Sequence, residues 1–328
     1  AFYGELGAPR VLTEEDNCNG VISATGECGG NSSDVIRSAD RTCELEHPRI
    51  ISVADLHGDI EKTKKVLLAA SVIDESEAWI AGESTTLVQT GDMVDRGPNS
   101  LEVVQFFRDL SRRASLAGGR VVNLLGNHEI MLLDGSTYFV NKDELKRHGG
   151  RRNFWNHFAS GSDLGDFLRA LPVAAILDRT LFAHAGVEPS LVSSASTIDE
   201  INSHAHTGMR KPRIQRNKAE SDVLNSNSGP VWTRAYNKNN FRFDDHTVSC
   251  RALSETLDVL NVDRMVIGHN VQRRLVPQVQ CGGRLLLMDV GMSKEMYDAD
   301  PVALEIRRTD GCQQELRFIG ESSVRVVT

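Results

Sequence analysis

No apolar run in this sequence approaches the ~20 residues needed to cross a bilayer, and the opening AFYGELGAPR has no apolar core of the secretory-signal kind. Membrane insertion is therefore not expected, and the start at Ala1 raises the expectation of a targeting segment ahead of it. Basic residues are in deficit: 37 Lys and Arg stand against 45 Asp and Glu, a formal net charge of −8. That balance argues against a surface built to wrap nucleic acid or lie on anionic lipid, and it suits a protein that binds cations. The six cysteines (Cys18, Cys28, Cys43, Cys250, Cys281 and Cys312) contain no C-x-x-C pair and no interleaved histidine at zinc-finger spacing, which argues against a structural zinc site. There is no internal repeat.

What remains is the composition of a soluble globular protein, with 40% hydrophobic residues and 27 glycines. The length, 328 residues, suits two units or one large α/β core with insertions. An even cysteine count, three of them in a polar N-terminal segment, points to disulfides and an oxidising compartment: the secretory pathway or the mitochondrial intermembrane space, with the cytoplasm as the alternative. Asn31-Ser32-Ser33 reads as a glycosylation sequon.

Residues 1–44 are rich in Gly, Asn, Ser and acidic side chains without periodicity, so an irregular arm is expected there, followed by a folded domain over 45–328. From Pro48 onward β and α signals alternate. RIISVA, TTLVQT and RVVNLL are strand-like, and helical patterns follow the first two, one carrying Leu101, Val103, Val104, Phe107, Leu110 and Ala114. Serial strand–turn–helix units predict a largely parallel sheet covered by helices. Residues 136–170 read as helical with a break at Gly149-Gly150. PVAAILDRTLFAHAG reads as two strands around an Asp178-Arg179 turn, and residues 190–229 as a polar insertion. A helix near 247–260 and the strands RMVIG, RLLLMDV, VALEIRR and QQELRFI complete the chain, suggesting a second, mixed sheet packed on the first.

Strand after strand ends in polar residues of one chemical kind. These are Asp55-Leu56-His57-Gly58, Gly91-Asp92-Met93-Val94-Asp95-Arg96-Gly97, Gly126-Asn127-His128-Glu129, Ala183-His184-Ala185-Gly186 and Gly268-His269-Asn270. The carboxyl ends of strands in an open α/β sheet share one edge, so these residues should meet. A lone Asp there is more often a turn former, and a lone His more often a core residue; recurrence at five strand ends argues against that reading for the set. Carboxylates, one carboxamide and several imidazoles, with no thiolate nearby, suit divalent ions of intermediate hardness such as Mn, Fe, Zn or Co. In Asp55-x-His57 the period of two would put both side chains on one side of an extended segment. So many donors exceed the needs of one ion that must leave room for substrate, whereas two ions sharing a carboxylate, for which Asp92 is the choice, would use them.

In this order the blocks ADLHGD, GDMVDRG, LLGNHE, HAG and GH resemble the calcineurin-like metallophosphoesterases, and the DRG and GNHE forms point to their phosphoprotein phosphatase branch. The resemblance covers residues 48 to 295. Leu125 stands where the common eukaryotic enzymes have arginine, VWTRAY has an arginine two residues past its tryptophan, and DVGMS replaces a cysteine-containing loop; all three lean towards the Shewanella-like phosphatases. Ala54 departs from the usual glycine of the first block.

The resemblance implies two mixed β-sheets packed as a sandwich flanked by helices, with a helical and loop insertion. It implies that Asp55, His57 and Asp92 bind one divalent ion, and that Asp92, Asn127, His184 and His269 bind a second, manganese first and iron or zinc as alternatives. His128 would be the general acid, oriented by Asp95, and Arg96 and Arg234 the clamps on the phosphate oxygens, a role that suits a planar guanidinium. Phosphomonoester hydrolysis would proceed by direct attack of a hydroxide bound between the two ions, with a phosphorylated protein or peptide as substrate and neither nucleic acid nor membrane as partner. Diadenosine-polyphosphate hydrolases share most of these blocks; the DRG and NHE forms favour the phosphatase. A catalytically silent binding module would be expected to lack a ligand, and none is missing.

Three features are weaker. RKPRIQRNK, residues 210–218, would receive acidic substrates or, more simply, be a solvated loop. His204 and His206 have ligand-like spacing but lie in the insertion. Glu129 reads as a support for its neighbours rather than as a catalytic group.

Overall fold

The computed structural model describes residues 49–192, 197–236, 246–309 and 314–327. Strands β1 (Arg49–Val53), β2 (Thr85–Gln89) and β3 (Arg120–Asn123) run parallel, with β1 and β2 in register from Arg49↔Thr85 to Val53↔Gln89. Helices α1 (Ile60–Ala69) and α2 (Ser100–Leu116) make the crossovers. Asp59 starts α1 by accepting the Lys62 backbone N–H at 3.0 Å, which satisfies one of the orphan donors of its first turn. Helix α2 buries Leu101, Val103, Val104, Phe107, Leu110 and Ala114, the stripe that its helical spacing selects.

Helix α3 (Asn127–Leu133) leaves β3, and the helical stretch expected over 136–170 is three short helices, α4 (Lys142–Arg147), α5 (Arg151–Asn156) and α6 (Asp163–Arg169). Gly149 and Gly150, at φ +74° and +101°, break it where expected. Strands β4 (Ala174–Leu177) and β5 (Thr180–Ala183) form the hairpin. Asp178 and Arg179 between them lie at φ 46° and 60°, the two left-handed residues that a type I′ turn needs. The polar insertion contains α7 (Ile198–Met209) and α8 (Lys218–Leu224), each opened by a capping box, Thr197 with Glu200 and Asn217 with Glu220. Helix α9 (His246–Val259) follows.

The remaining strands are β6 (Arg264–Ile267), β7 (Gln278–Gln280), β8 (Leu285–Leu287), β9 (Val302–Arg308), β10 (Gln314–Gly320) and β11 (Val324–Val326). They do not all belong to the second sheet. One sheet has the order β11-β10-β9-β1-β2-β3 and the other β4-β5-β6-β8-β7, so the last strands return antiparallel beside β1. The reason lies in β1 itself, whose Ile50, Ile51 and Val53 are fully buried; such a strand needs a neighbour on each edge, and β9 supplies the second.

The two mixed sheets face each other through Ile50, Val88, Leu124 and Leu304 on one side and Phe182, Val266 and Leu286 on the other. Alternate residues Ile51, Val53 and Leu87 point the opposite way, into a core shared with Leu67 of α1 and Phe107 of α2. Burial on both faces explains why these strands read as unbroken apolar runs. Each such side chain contributes about 1.5–3 kcal/mol.

The described residues, all of which lie after Cys43, belong to one compact unit. The N-terminal arm, with Cys18, Cys28, Cys43 and Asn31, lies outside the described residues, as does Cys312. Cys250 of α9 and Cys281, which precedes β8, form a disulfide with a Cα–Cα distance of 5.4 Å. Among the described residues no helix is long and apolar enough to cross a membrane.

Candidate active site

Six strands of the two sheets deliver polar residues to one edge. Asp55 and His57 follow β1, Asp92, Asp95 and Arg96 follow β2, and Asn127 and His128 open α3 after β3. From the other sheet come His184 after β5, His269 and Asn270 after β6, and Asp289 after β8. Most of them, with Arg234, line a cleft of ≈ 400 Å³.

Oδ2 of Asp92 is the hub. His184 Nε2 lies 3.4 Å from it, His57 Nε2 3.8 Å and His128 Nε2 3.9 Å. His57 Nε2 is also 3.9 Å from Asp55 Oδ2. On the other flank, His184 Nε2 lies 2.9 Å from Asn127 Oδ1 and 3.1 Å from His269 Nδ1. Asp92 thus belongs to two groups of donors that could each hold an ion, one with His57 and His128 and one with His184 and His269. His204 and His206 fall in neither.

Backbone contacts aim these rings. His57 Nδ1–H donates to the Val94 carbonyl at 3.2 Å and His184 Nδ1–H to the Thr90 carbonyl at 3.0 Å, which leaves each Nε2 facing Asp92. His128 is held differently: its Nδ1–H donates to Asp95 Oδ2 at 2.6 Å. Asp55 and His57 meet as expected, but for another reason. Strand β1 stops at Val53, and His57 sits in a turn at φ 43°, so strand alternation does not put them together. Asp92, Asp95, Arg96 and His269 are also left-handed, at φ 58°, 70°, 69° and 66°. Backbone of this kind costs about 1–3 kcal/mol per non-glycine residue and collects where side chains must be aimed.

Gly126 serves a different purpose from a turn: its φ is −99°, and a Cβ there would lie 2.2 Å from Asp92 Oδ1. Its absence lets the carboxylate rest on the start of α3, where Asp92 Oδ1 accepts the His128 N–H at 3.0 Å. Glu129 has the supporting role expected. Its carboxylate accepts four backbone N–H groups, from Asp92 (2.8 Å), Met93 (2.7 Å), Val94 (3.2 Å) and Gly126 (2.7 Å), clasping the loop after β2 to the turn after β3.

The electrostatics call for cations. Asp55, Asp92, Glu129 and Asp289 are all at most 2% exposed. The ion pairs that Asp55 and Asp92 make among the described residues are with imidazoles. Burial pushes Glu129 and Asp289 each up to about 7, and burial with the neighbouring Asp289 raises Asp55. Burial lowers His57 to about 4 and His269 to about 3, so both are neutral donors. Burial works against a charge on His184 too, yet Asp92 and Asp55 overcome it and hold the ring up to about 10. Its proton then lies between Asp92 and two further donors, where a cation fits better. Nitrogen and oxygen donors, buried carboxylates without lysine or arginine partners among the described residues, and imidazoles locked with one nitrogen inward make this set fit a pair of divalent ions.

Arg96 stacks on Phe139, with its guanidinium carbon 4.2 Å from the ring centroid and a buried Nε without a partner among the described residues. Arg234 is exposed, lines the same cleft and donates through Nη1 to Asn270 Oδ1. The basic stretch 210–218 is mostly structural: Arg216 is buried on Asp134, Lys211 pairs with Glu220, and Lys218 with Asp222. Asp289 escaped the sequence reading, although it ends an apolar strand beside a Val-Gly pair as the other site residues end theirs.

The calcineurin-like phosphoesterase model matches residues 48–273. The chain belongs to this family. An uncharacterised protein of Schizosaccharomyces pombe is 30% identical to this phosphoesterase over 81% of this chain and 80% of its own. Shewanella-like protein phosphatase 2 of Arabidopsis thaliana is 28% identical over 80% of this chain and 76% of its own. Among solved structures, the cold-active protein-tyrosine phosphatase of a psychrophilic Shewanella species superposes with a TM-score of 0.73 at 22% identity, covering 87% of this chain and 81% of that one. The two share the fold, and the kinship expected from the sequence blocks is borne out. This phosphoesterase has the αββα sandwich of its family and His and Asp groups suited to a binuclear metal site.

Proposed function

We propose that this phosphoesterase is a phosphoprotein phosphatase that hydrolyses phosphomonoesters, with His128 as the proton donor to the leaving oxygen. The observation that carries the reading is His128 itself: Asp95 holds its Nδ1 at 2.6 Å while Nε2 stays on the cleft side, 3.9 Å from the shared carboxylate of Asp92. Although His128 stands within reach of the His57 and Asp92 donors, we assign it to proton transfer rather than to an ion, because an imidazole committed to a metal cannot also hand a proton to a leaving group and the reaction needs a carboxylate-oriented histidine beside the metal donors.

In this reading Asp55, His57 and Asp92 would hold one ion, and Asp92, Asn127, His184 and His269 the other; manganese is our choice, with iron or zinc as alternatives. When bound, the ions supply Lewis acidity at phosphorus and lower the pKa of the attacking water. Arg96 and Arg234, which both line the cleft, would grip the phosphate oxygens. Asp95 keeps the His128 proton on the cleft side and offsets the imidazolium charge. Val271, Met296 and Tyr297 also line the cleft, and apolar surface of this kind, against which an aryl group would pack, supports accepting phosphotyrosine beside phosphoserine and phosphothreonine. The Cys250–Cys281 disulfide supports an oxidising compartment.

The test is metal analysis coupled to a substrate panel: manganese-loaded protein with phosphotyrosine, phosphoserine and phosphothreonine peptides, an aryl phosphate and diadenosine tetraphosphate. Turnover of phosphopeptides with two ions per chain is expected. Cleavage of the dinucleotide alone would reject the protein-substrate reading, and full turnover after verified metal depletion would reject the metal assignment.

A further inference from the structure

We propose that Asn270 is an additional phosphate-binding residue, its carboxamide N–H donating to a substrate oxygen while its carbonyl oxygen aims the Arg234 guanidinium. The inference rests on the phosphatase reading of the same cleft. Asn270 is 4% exposed and lines the cleft with Asp92, Asn127, His128, Arg234 and His269. Its Oδ1 accepts from Arg234 Nη1. A guanidinium can only donate, so that contact fixes which end of the amide is which and turns Nδ2 the other way. Nδ2 is a buried donor with no acceptor among the described residues. An unpaired buried donor is expensive, and a functional site is where one is retained, because the ligand supplies the acceptor.

The ordinary explanation, an asparagine that shapes a turn after β6, fails on its hydrogen bonds. The turn is closed by the backbone, Asn270 N–H to Gly268 carbonyl at 2.7 Å, and the Asn270 carbonyl is taken by Gln272 Nε2 at 2.6 Å. Its side chain contributes to neither. Nor does the amide qualify as a metal donor, since its oxygen is engaged by Arg234 and its nitrogen carries two protons. Gln272, itself 2% exposed, donates its backbone N–H to the Asp289 carbonyl at 2.8 Å, so the residue beneath Asn270 is anchored to the strand end that carries Asp289. The arrangement sets a neutral donor beside a cationic one at the lining of the cleft.

Two variants separate the two halves of the proposal. Asn270→Ala removes both the donor and the support of Arg234. Asn270→Asp keeps the shape and the oxygen that Arg234 needs but replaces the donor with a second oxygen, which repels phosphate. On metal-loaded protein with ion content measured, Asn270→Ala should raise KM for an aryl phosphate, and the Kd for inorganic phosphate read by titration calorimetry, roughly 10-fold or more. Asn270→Asp should lose at least as much as Asn270→Ala in both measurements. Asn270→Asp binding phosphate more tightly than Asn270→Ala would overturn the proposed donor and leave only the support of Arg234. Wild-type phosphate affinity in the folded Asn270→Asp variant would also overturn it, whatever becomes of Asn270→Ala. Calorimetry does not depend on turnover, so an inactive wild type would reject the phosphatase reading while the binding comparison still decides the role of Asn270.

Discussion

Nδ1 of His128 and Oδ2 of Asp95 lie 2.6 Å apart, both buried. Burial alone would lower the His128 pKa; the carboxylates of Asp92 and Asp95 reverse that and raise it. A proton donor must be protonated, so kcat should fall as pH rises through this raised value. Asp95→Asn removes part of the support, so the alkaline limb should move to lower pH, with kcat reduced on the order of 10–100-fold. An unmoved limb would end the assignment of Asp95 as the partner that sets the proton.

His128→Asn should cost roughly 10²–10⁴-fold for a phosphoserine peptide and clearly less for an aryl phosphate with a good leaving group, because the latter needs little protonation. Equal losses on both substrates would point to a structural rather than a proton-donating histidine.

Metal content should follow the two donor groups. His269→Ala should lower the bound manganese from two ions per chain towards one, measured by inductively coupled plasma mass spectrometry, while leaving the group with Asp55 and His57 intact. Chelation of the wild type should lower its melting temperature, since saturation at 100 times Kd stabilises by about 2.7 kcal/mol per site. A melting temperature indifferent to chelation would contradict the reading of the buried carboxylates as a site awaiting cations.

Gly126→Ala should disable the site with modest effect on the fold's core. The new Cβ would lie 2.2 Å from Asp92 Oδ1, displacing the carboxylate that both donor groups share. Loss of both ions with retained helical circular dichroism is the expected result; normal metal binding would mean that the close approach is dispensable.

Glu144 gives a stability test away from the cleft. It is fully buried, its Oε1 accepts the Leu101 N–H at 3.0 Å, and burial pushes its carboxyl up to about 7. The folded chain therefore keeps this proton to higher pH than the unfolded chain, whose ordinary value is 4.5. The contribution is most favourable below 4.5, declines as pH rises towards 7, and is constant above, a change on the order of 3 kcal/mol. Denaturant unfolding at several pH values should show Glu144→Gln gaining on the wild type across that window. A constant difference would rule out the shift.

The sequence discloses the cleft better than the sheets. The donors of both groups are readable because each follows an apolar strand and stands near a glycine. The Asp178-Arg179 hairpin and the Gly149-Gly150 break are readable because local backbone preference decides them. The return of β9 and β10 to the first sheet is not, since nothing local in VALEIRR tells which of two apolar sheets it will join. Asp289 is hidden for a related reason: its partners, Asp55 and Asp92, come from the other sheet, and its importance emerges only once the sheets are stacked.

That stacking gives the second donor group a mechanical meaning. Asp92 comes from one sheet and His184 and His269 from the other, with Asn127 of the first sheet 2.9 Å from His184 Nε2. An ion held there would rivet the strand ends together, as Phe182 and Ile50 grip the interior. Neither sheet alone has enough donors for that ion, so a slip of one layer over the other would divide the set before it opened the core.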